Sequence, residues 1–386
     1  MSGVRAAILT GLTLALLPGV CFGEDDEFLL VRRGHPVQSI RIVEINEQAL
    51  VHGDPAGGWQ VIALDDCVAL LNPQAAPQPP GSGGLLTLAD GQRFPGKALS
   101  GAPKTDGLFV WNHSRFGRME VPLAWVRTVR LARDATPAPP HDGDVLMLRN
   151  GDVVEGLITA LGDPVTIELM SDDEPQSIEL PLDGITLVSM VTPTLPPQGQ
   201  RIWLRDGSVI DVTHVLLGDD GIVRLIDPRV VPGEHRLPLS AITAVRFDPD
   251  AMTPFADLSP MRVEGPATRY EVPPPIALDK APPLGLSRVE LRGPLTARYA
   301  LSARAGELRF IAEAKRPVTA SAWSDFELVL SDDQGEVFRT RLNDAHPTAS
   351  IDVRLRGPVL TIQITEGDYG PIQDHVILHR AMLLRP

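Results

Sequence analysis

The residue spacing that first suggests chemistry lies near the C-terminus, where Asp374 and His375 are adjacent and His379 follows. Imidazole and carboxylate groups are common metal ligands. The surrounding residues are apolar and predict a β-strand. In a strand, side chains four positions apart share a face but lie about 13 Å apart. That separation is too large for one ion. The spacing therefore predicts no metal site, and the remaining histidines are scattered along the chain.

Three acidic pairs were considered as calcium ligands because carboxylate oxygens bind this ion. They are Asp172-Asp173, Asp219-Asp220 and Asp332-Asp333. Each pair lies among turn-forming residues, where aspartate commonly hydrogen-bonds the backbone of its own turn. Solvated loop charge is the favoured interpretation.

Catalytic motifs are missing from the sequence. There is no nucleophile elbow, phosphate-binding loop, His-Glu-x-x-His pair or dinucleotide fingerprint. Two carboxylates without a motif could hydrolyse glycosides, but such catalytic domains need more contiguous chain than the blocks described below provide. Cys67 lies in the apolar stretch IALDDCVALL and is predicted to be a small core residue rather than a reactive thiol. We therefore predict a protein that is not an enzyme and needs no cofactor or metal.

The net charge is −14, from 49 acidic and 35 basic residues, and it limits the kinds of molecule that the protein is expected to bind. An acidic surface repels phosphate backbones and anionic lipid headgroups. The composition therefore argues against binding to nucleic acid or to a membrane surface.

Residues 1–23 have the order of a secretory signal. Arg5 precedes an apolar run that ends at Pro18-Gly19, and acidic residues follow Gly23. The run is shorter than the roughly 20 residues that span a bilayer, so a retained anchor is not expected. Cys21 is preceded by Val20 rather than by the small residue typical of a lipidation site. The pattern predicts export to the periplasm or the medium, without membrane insertion after cleavage.

Three blocks of similar length repeat one pattern. Each opens with an alternating apolar strand that runs into Asp-Gly or Asn-Gly, and each ends with Pro-Leu and a spaced apolar ladder. The turn glycine and the closing proline are 30 or 31 residues apart in the pairs Gly91 and Pro122, Gly151 and Pro181, and Gly207 and Pro238. Asp-Gly between alternating strands predicts a hairpin whose two central residues both have positive φ.

A fourth, degenerate copy precedes these blocks, with Arg33-Gly34 at its turn and Ala63 in place of the proline. A second glycine, Gly96 or Gly156, follows the turn by five residues in two copies, where we expect the strand to bend. The unit resembles Sm-like five-stranded barrels. Trp111, Trp125 and Trp203 occupy different positions in their copies, so we interpret them as core residues.

Proline-rich stretches divide the chain. We predict these segments: signal peptide 1–23, degenerate β repeat 24–72, β repeats 83–132, 142–191 and 199–248, proline-rich linker 249–282, and a β-sandwich 283–386. The predicted fold class is all-β, with tandem small β-barrel or β-roll repeats followed by a jelly-roll sandwich.

The C-terminal block resembles the novel putative carbohydrate-binding module family, a branch of the galactose-binding-like sandwiches. The resemblance rests on TARYALS, ELRFIAEA, FELVLSDDQGEVFRT, IDVRLRG and LTIQITEGDYGPIQDHVILHRAMLL. Asp332-Asp333-Gln334-Gly335 stands at the family's Asp-Gly turn, and Asp374-His375 stands at its Asp-His pair. The family continues that pair into a tryptophan, where this chain has Val376 and Ile377.

The resemblance implies sugar recognition, which uses an exposed aromatic plane and a few fixed polar groups. The candidate ligand-binding residues are Trp323, Asp325, Tyr369, Asp374 and His375. The alternatives are loop packing for Trp323 and a hydrogen-bonded strand end for Asp374-His375.

Two functions follow from this reading of the sequence. The first is an exported binding protein whose sandwich recognises a glycan, on a polysaccharide or glycoprotein, while the repeats act as spacer or scaffold. The alternative is a structural or assembly component of the cell envelope that binds protein partners and has no sugar site.

Overall fold

The computed structural model describes residues 27–53, 58–74, 83–99, 107–133, 135, 138, 141–169, 175–218, 220–266, 272–301, 308–320, 323–371 and 373–385. Its regular structure is β-strand apart from short 3₁₀ turns, so the predicted all-β class is confirmed. The predicted signal peptide 1–23, the pair Asp172-Asp173 and Asp219 lie outside the described residues. No helix in the described ranges has the length and apolar character needed to cross a membrane.

The first two repeats, units 1 and 2, each contain five strands. In unit 1 these are β1 (Glu27–Arg32), β2 (Gln38–Ile45), β3 (Ala49–Gly53), β4 (Trp59–Ala63) and β5 (Cys67–Leu71). In unit 2 they are β6 (Gly84–Leu88), β7 (Arg93–Ala98), β8 (Leu108–His113), β9 (Gly117–Pro122) and β10 (Val126–Arg130).

Units 3 and 4 repeat the plan. Unit 3 contains β11 (Asp144–Leu148), β12 (Val153–Ala160), β13 (Val165–Leu169), β14 (Gln176–Leu180) and β15 (Ile185–Ser189). Unit 4 contains β16 (Gln200–Leu204), β17 (Val209–Val212), β18 (His214–Leu217), β19 (Ile222–Ile226), β20 (His235–Pro238) and β21 (Ile242–Arg246), with β17 and β18 replacing one strand.

Within a unit the strands meander and the fifth returns to the first. In unit 1, β1 pairs with β2 and β5, β2 with β3, and β3 with β4. The Pro-Leu signature marks the corner before the fifth strand. The proline ends the fourth strand or follows it, and the leucine opens a 3₁₀ turn: Leu64–Asp66, Leu123–Trp125, Leu182–Gly184 or Leu239–Ala241.

The Asp-Gly and Asn-Gly hairpins form, but through a different turn from the one predicted. The N–H of Gly91 donates to Leu88 O at 3.0 Å, and Gly151 and Gly207 make the same bond. Glycine alone has the positive φ, +85° at Gly91, whereas Asp90 does not. This is a type I turn closed by a glycine bulge rather than a two-residue type I′ turn. Asp90 Oδ1 accepts the N–H of Gln92 and so stabilises the turn.

The second glycine marks a close approach of neighbouring strands. A Cβ on Gly96 would lie 2.3 Å from Asn112 O, and one on Gly156 would lie 2.4 Å from Glu168 O. Only glycine fits there, because the second strand leaves the first strand and crosses to the third at this point.

The four units associate in two pairs through their fifth strands. β5 pairs with β21, with Leu70 opposite Val245, and β10 pairs with β15, with Val129 opposite Val188. Both pairings are antiparallel. Each of these residues is the fourth in its five-residue strand, so a pseudo-two-fold axis relates the two strands of each pair. A unit of about 45 residues has a marginal core of its own. The cores of all four units form one apolar cluster.

Units 2 and 4 meet at a polar junction. Arg93 of β7 lies opposite Val209 of β17, and each follows its turn glycine by two residues. Arg201 donates to both oxygens of Asp211, at 2.5 and 2.8 Å, and to Asp90 O at 2.7 Å. Side-chain exposure is 11% for Arg201 and 1% for Asp211. Removing one partner of such a buried ion pair destabilises the protein, because the other charge stays buried without its partner.

The remaining strands form a two-sheet sandwich. They are β22 (Met252–Pro254), β23 (Pro260–Glu264), β24 (Ile276–Ala277), β25 (Val289–Arg292), β26 (Leu295–Ala300), β27 (Leu308–Lys315), β28 (Phe326–Asp332), β29 (Gly335–Leu342), β30 (Thr348–Leu355), β31 (Val359–Glu366) and β32 (His375–Leu384), with 3₁₀ turns at Phe255–Asp257 and Pro283–Gly285. One sheet has the order β24-β25-β32-β27-β30, with β22 also on β32. The other has the order β23-β26-β31-β28-β29.

The prediction that residues 249–282 are a linker is wrong. β22 pairs with β32, β23 with β26, and β24 with β25, so this segment contributes strands to both sheets. Proline is tolerated because these short strands lie at sheet edges. Phe255 in the same segment packs on Tyr299 and Phe310 in the sandwich core.

A separate apolar cluster joins the sandwich to units 1 and 4. Its members from the units are Val31, Val68, Ala69, Trp203, Val209 and Ala244, and those from the C-terminal part are Ala251, Met252, Leu284, Leu286, Met382 and Leu384. Arg33 pairs with Asp248 and Arg309 donates to His35 O across the same boundary. The sandwich therefore shares a core with the repeats.

Three buried residues match their predicted roles as core residues. Cys67 is a core residue, and burial raises the pKa of its thiol to about 12. Trp111 and Trp203 are 0% and 7% exposed, as predicted for core tryptophans, while Trp125 is half-buried beneath the Arg229 guanidinium.

Replacing Asp211 with alanine leaves the Arg201 guanidinium buried and without its carboxylate. We expect Asp211→Ala to lower the free energy of unfolding by about 3 kcal/mol or more. Arg236→Ala, which removes an exposed ion pair with Asp220, should change it by less than about 1 kcal/mol. Urea unfolding of the full chain measures both, and equal small losses would show that the junction is not stabilising.

His113 makes the unit 2–unit 4 junction sensitive to pH. Its Nε2 lies 2.9 Å from Ser208 Oγ, and burial lowers the pKa of the imidazole below 6.5, although Asp206 opposes the shift. The unfolded chain then binds more protons than the folded chain, so stability falls as pH drops below about 6.5. We expect His113→Gln to flatten this decline below about pH 6.5. The control His346→Gln replaces an exposed histidine away from the junction and should keep the wild-type slope. Thermal unfolding across this range measures the difference, and identical slopes in wild type and His113→Gln would contradict the assignment.

Candidate functional site

The candidate site lies at one end of the sandwich, where several connections meet. β27 ends and β28 begins there, joined by residues 316–325. Residues 343–347 join β29 to β30, and residues 367–374 join β31 to β32. Because the paired strands are antiparallel, these connections lie at the same end of the sandwich. Residues that are far apart in sequence are therefore close in space.

Two of the predicted residues form an exposed aromatic pair. The ring centroids of Trp323 and Tyr369 are 5.1 Å apart and their planes meet at 87°. Trp323 is 58% exposed and Tyr369 is 51% exposed. Edge-to-face contact is a favourable arrangement for two aromatic rings, and here it leaves two perpendicular surfaces open to solvent.

A guanidinium holds together the two connections that carry these rings. Arg341, near the end of β29, donates to both oxygens of Asp325, at 2.7 and 2.5 Å, and to Asp368 Oδ2 at 2.5 Å. The Asp325 side chain is 2% exposed, whereas that of Asp368 is 76% exposed. The hydrogen bonds from Arg341 hold the pKa of the Asp325 carboxyl below its usual range. Asp325 therefore stays ionised, and the contacts of Arg341 with Asp325 and Asp368 link the loops that carry Trp323 and Tyr369.

Backbone contacts tighten the same region. The N–H of Asp368 donates to Asp325 Oδ2 at 3.1 Å, and Ser324 Oγ donates to Gln373 O at 2.8 Å. A Cβ on Gly367 would lie 2.2 Å from Asp325 O, so only glycine lets β31 end this close to Asp325. These contacts link the segments that carry the aromatic pair.

The other two predicted residues lie elsewhere on this end. Asp374 is 0% exposed, and its carbonyl accepts the N–H of Gly293 at 2.6 Å. His375 opens β32 opposite Arg292, with its Nδ1 3.8 Å from Glu290 Oε1, and burial lowers the pKa of the imidazole. These positions match the alternative interpretation of a hydrogen-bonded strand end.

Metal-binding groups were sought among the described residues. No three His, Cys, Asp or Glu side chains in these ranges are placed to share an ion. Asp332, from one of the acidic pairs, accepts the N–H of Gln334 and the N–H of Arg356, which is the turn role considered above.

Arg341 and Asp368 were missed by the sequence reasoning. Arg341 is one of several arginines in the alternating run EVFRTRL, so its type and spacing do not distinguish it from Arg339. Asp368 carries a weak signal, since it immediately precedes Tyr369 in a GDYG turn. Arg341 contacts Asp325 and Asp368 because β28 pairs with both β29 and β31. The spacing of residues in the sequence does not predict these strand pairings.

No family model matches the chain, and no curated protein matches it. The family resemblances described above therefore stay predictions. Solved structures with partial similarity are carbohydrate-binding modules from Clostridium perfringens. One is CBM51 from GH95 in complex with methyl-galactose, at 11% identity and a TM-score of 0.27, covering 34% of this chain and 99% of that one.

Two others come from ZmpB. The structure of CBM51-2 and INT domains has 12% identity and a TM-score of 0.29, and covers 45% of this chain. The structure of the M60 catalytic domain with CBM51-1 and CBM51-2 has 11% identity and a TM-score of 0.29, and covers 96% of this chain. The present chain covers 37% and 32% of the two neighbours. At these TM-scores the similarity assigns no function to the chain.

Removing the Arg341 guanidinium should loosen the aromatic pair. We expect Arg341→Gln to speed amide hydrogen exchange in residues 366–371 roughly tenfold, because Asp325 loses its cation and releases the Asp368 loop. Arg339→Gln is the matched control, since Arg339 lies on the same strand and pairs with Glu327 and Glu336 away from this loop. Unchanged exchange in both variants, measured by mass spectrometry, would contradict a positioning role for Arg341.

Proposed function

We propose that the chain is a non-catalytic carbohydrate-binding protein that uses the Trp323–Tyr369 pair as its sugar-stacking surface. The observation that supports this function is the exposure of both rings beside the Arg341, Asp325 and Asp368 cluster. By contrast, the sandwich core contains the buried aromatic residues Phe255, Tyr299, Phe310 and Phe326, each at most 1% exposed. The exposed pair is therefore not needed to fill the sandwich core.

The chemistry of the surface suits a sugar ring. A pyranose presents a face of C–H groups and a rim of hydroxyls, so it needs a flat apolar surface beside fixed polar groups. Trp323 and Tyr369 supply the apolar surfaces. Asp368 supplies carboxylate acceptors and Arg341 supplies guanidinium donors, both held in place by Asp325.

The five predicted site residues then divide by role. Trp323 and Tyr369 would contact the sugar, and Asp325 would position Arg341 and Asp368. Asp374 and His375 would support the loop ends, since Asp374 is fully buried and His375 lies beside Glu290.

A sugar-binding experiment should use the full chain, because residues 249–282 and units 1 and 4 share cores with the sandwich. We expect an array of soluble and immobilised glycans to show saturable binding. Trp323→Ala and Tyr369→Ala should each weaken binding about tenfold or more, as for aromatic anchors in other interfaces. Trp59→Ala, which removes a tryptophan 53% exposed in unit 1, is the matched control and should bind like wild type.

The absence of binding to every glycan by the folded wild-type chain would overturn the function. Binding that survives in both aromatic variants would overturn the site and retain the function.

Export is part of the same proposal and is supported by the order of charge, apolar run and acidic residues in residues 1–27. We expect the protein recovered from a secreting host to begin at Glu24, without Met1–Gly23. Intact mass spectrometry of the mature protein measures this directly, and a chain that retains Met1 would contradict it.

A further inference from the structure

Unit 3 has an outer face that combines exposed apolar and acidic side chains. Val153 and Leu157 of β12 are 48% and 53% exposed. Glu155 lies between them on the same side of the strand, and Glu168 of β13 lies directly opposite Leu157. Residues opposite each other in an antiparallel pair have Cβ atoms about 5 Å apart. Val153, Glu155, Leu157 and Glu168 are named the acidic face below.

The apolar residues of this face are not required by the fold. Val153 and Leu157 follow the turn glycine Gly151 by two and six residues, and the equivalent residues of unit 2 are Arg93 and Lys97. In unit 4 the residue equivalent to Val153 is Val209, which is 2% exposed and packs against the sandwich. Unit 3 therefore keeps apolar side chains where a sister unit has cations and where no described part of the chain covers them.

Charge is concentrated in the same unit. Residues 144–189 contain ten acidic residues and one basic residue, a net charge of −9 in a chain of net charge −14. Residues 84–130 of unit 2 contain three acidic and seven basic residues. Within the described residues, neither Glu155 nor Glu168 forms an ion pair. A large acidic surface attracts basic partners over several ångströms, and uncovered apolar side chains give such a partner a place to bind.

We propose that the acidic face is a docking surface for a partner protein, which contributes an extended segment whose every second residue faces this surface and is in turn apolar and basic. Its apolar side chains cover Val153 and Leu157, and its lysines or arginines meet Glu155 and Glu168. This pattern suits the face because every second residue of β12 from Val153 to Leu157 points to it, in the order apolar, acidic, apolar, and Glu168 of β13 lies opposite Leu157. This surface lies in unit 3 and does not depend on the sugar-binding proposal.

The test uses the fluorescent peptide Val-Ser-Arg-Ser-Val-Ser-Arg, which presents valine and arginine in turn on one side when extended, and the same peptide with glutamate for arginine. Fluorescence anisotropy at about 0.15 M salt limits long-range charge effects. We expect the full wild-type chain to bind the arginine peptide saturably and not to bind the glutamate peptide. The double variant Val153→Arg/Leu157→Lys, which introduces the residues of unit 2, should bind at least tenfold more weakly.

The matched control is Trp59→Arg/Val61→Lys. It removes two exposed apolar side chains from β4 of unit 1 and changes the net charge by the same amount. We expect this control to bind like wild type, and thermal unfolding should show that both variants are folded. Equal binding by both double variants, or no saturable binding by wild type, would overturn the proposal. A wild-type dimer in sedimentation equilibrium that Val153→Arg/Leu157→Lys dissociates would also overturn it, because a second copy would then occupy the face.

Discussion

The small size of the repeating unit is the constraint on which the rest of the architecture depends. Five strands over about 45 residues cannot enclose a large core, and the fifth strand leaves an open edge. Two equivalent edges meet antiparallel about Leu70 and Val245, and two others about Val129 and Val188. These pairings join unit 1 to unit 4 and unit 2 to unit 3, and the cores of all four units form one apolar cluster. They also form the platform of units 1 and 4 against which the sandwich packs through Trp203 and Met382.

The candidate site depends on a different interaction, the contact of one guanidinium with two carboxylates. Arg341 links the connection before β28 to the connection after β31, and each of these carries one exposed aromatic ring. Asp325 is buried and holds Arg341, while Asp368 faces solvent. Loops fixed before binding favour affinity for a weak ligand, because ordering a mobile loop on binding costs part of the binding free energy.

Local sequence signals predicted much of the fold. The turn glycines, the Pro-Leu corners and the all-β class were all readable because each reflects the backbone geometry of a few neighbouring residues. The type of hairpin turn was wrong, since Asp-Gly fits both a type I′ turn and a type I turn with a glycine bulge. The prediction of a linker at residues 249–282 was wrong because a high proline content is compatible with edge strands as well as with linkers. Here β22, β23 and β24 occupy such edge positions. Trp323 and Tyr369 were found by residue type, but Arg341 was not, because its role depends on strand pairing between distant residues.

The central claim is that sugar stacks on the Trp323–Tyr369 pair, and the most direct measurement is a nitrogen-15 NMR titration of the tryptophan indole N–H signals. The chain has five tryptophans, so each can be assigned by single substitution. Titration with a panel of neutral and acidic oligosaccharides should shift the Trp323 signal and leave that of buried Trp111 unchanged. A sugar that binds and shifts Trp59 but not Trp323, or a panel that shifts no indole signal, would contradict the account.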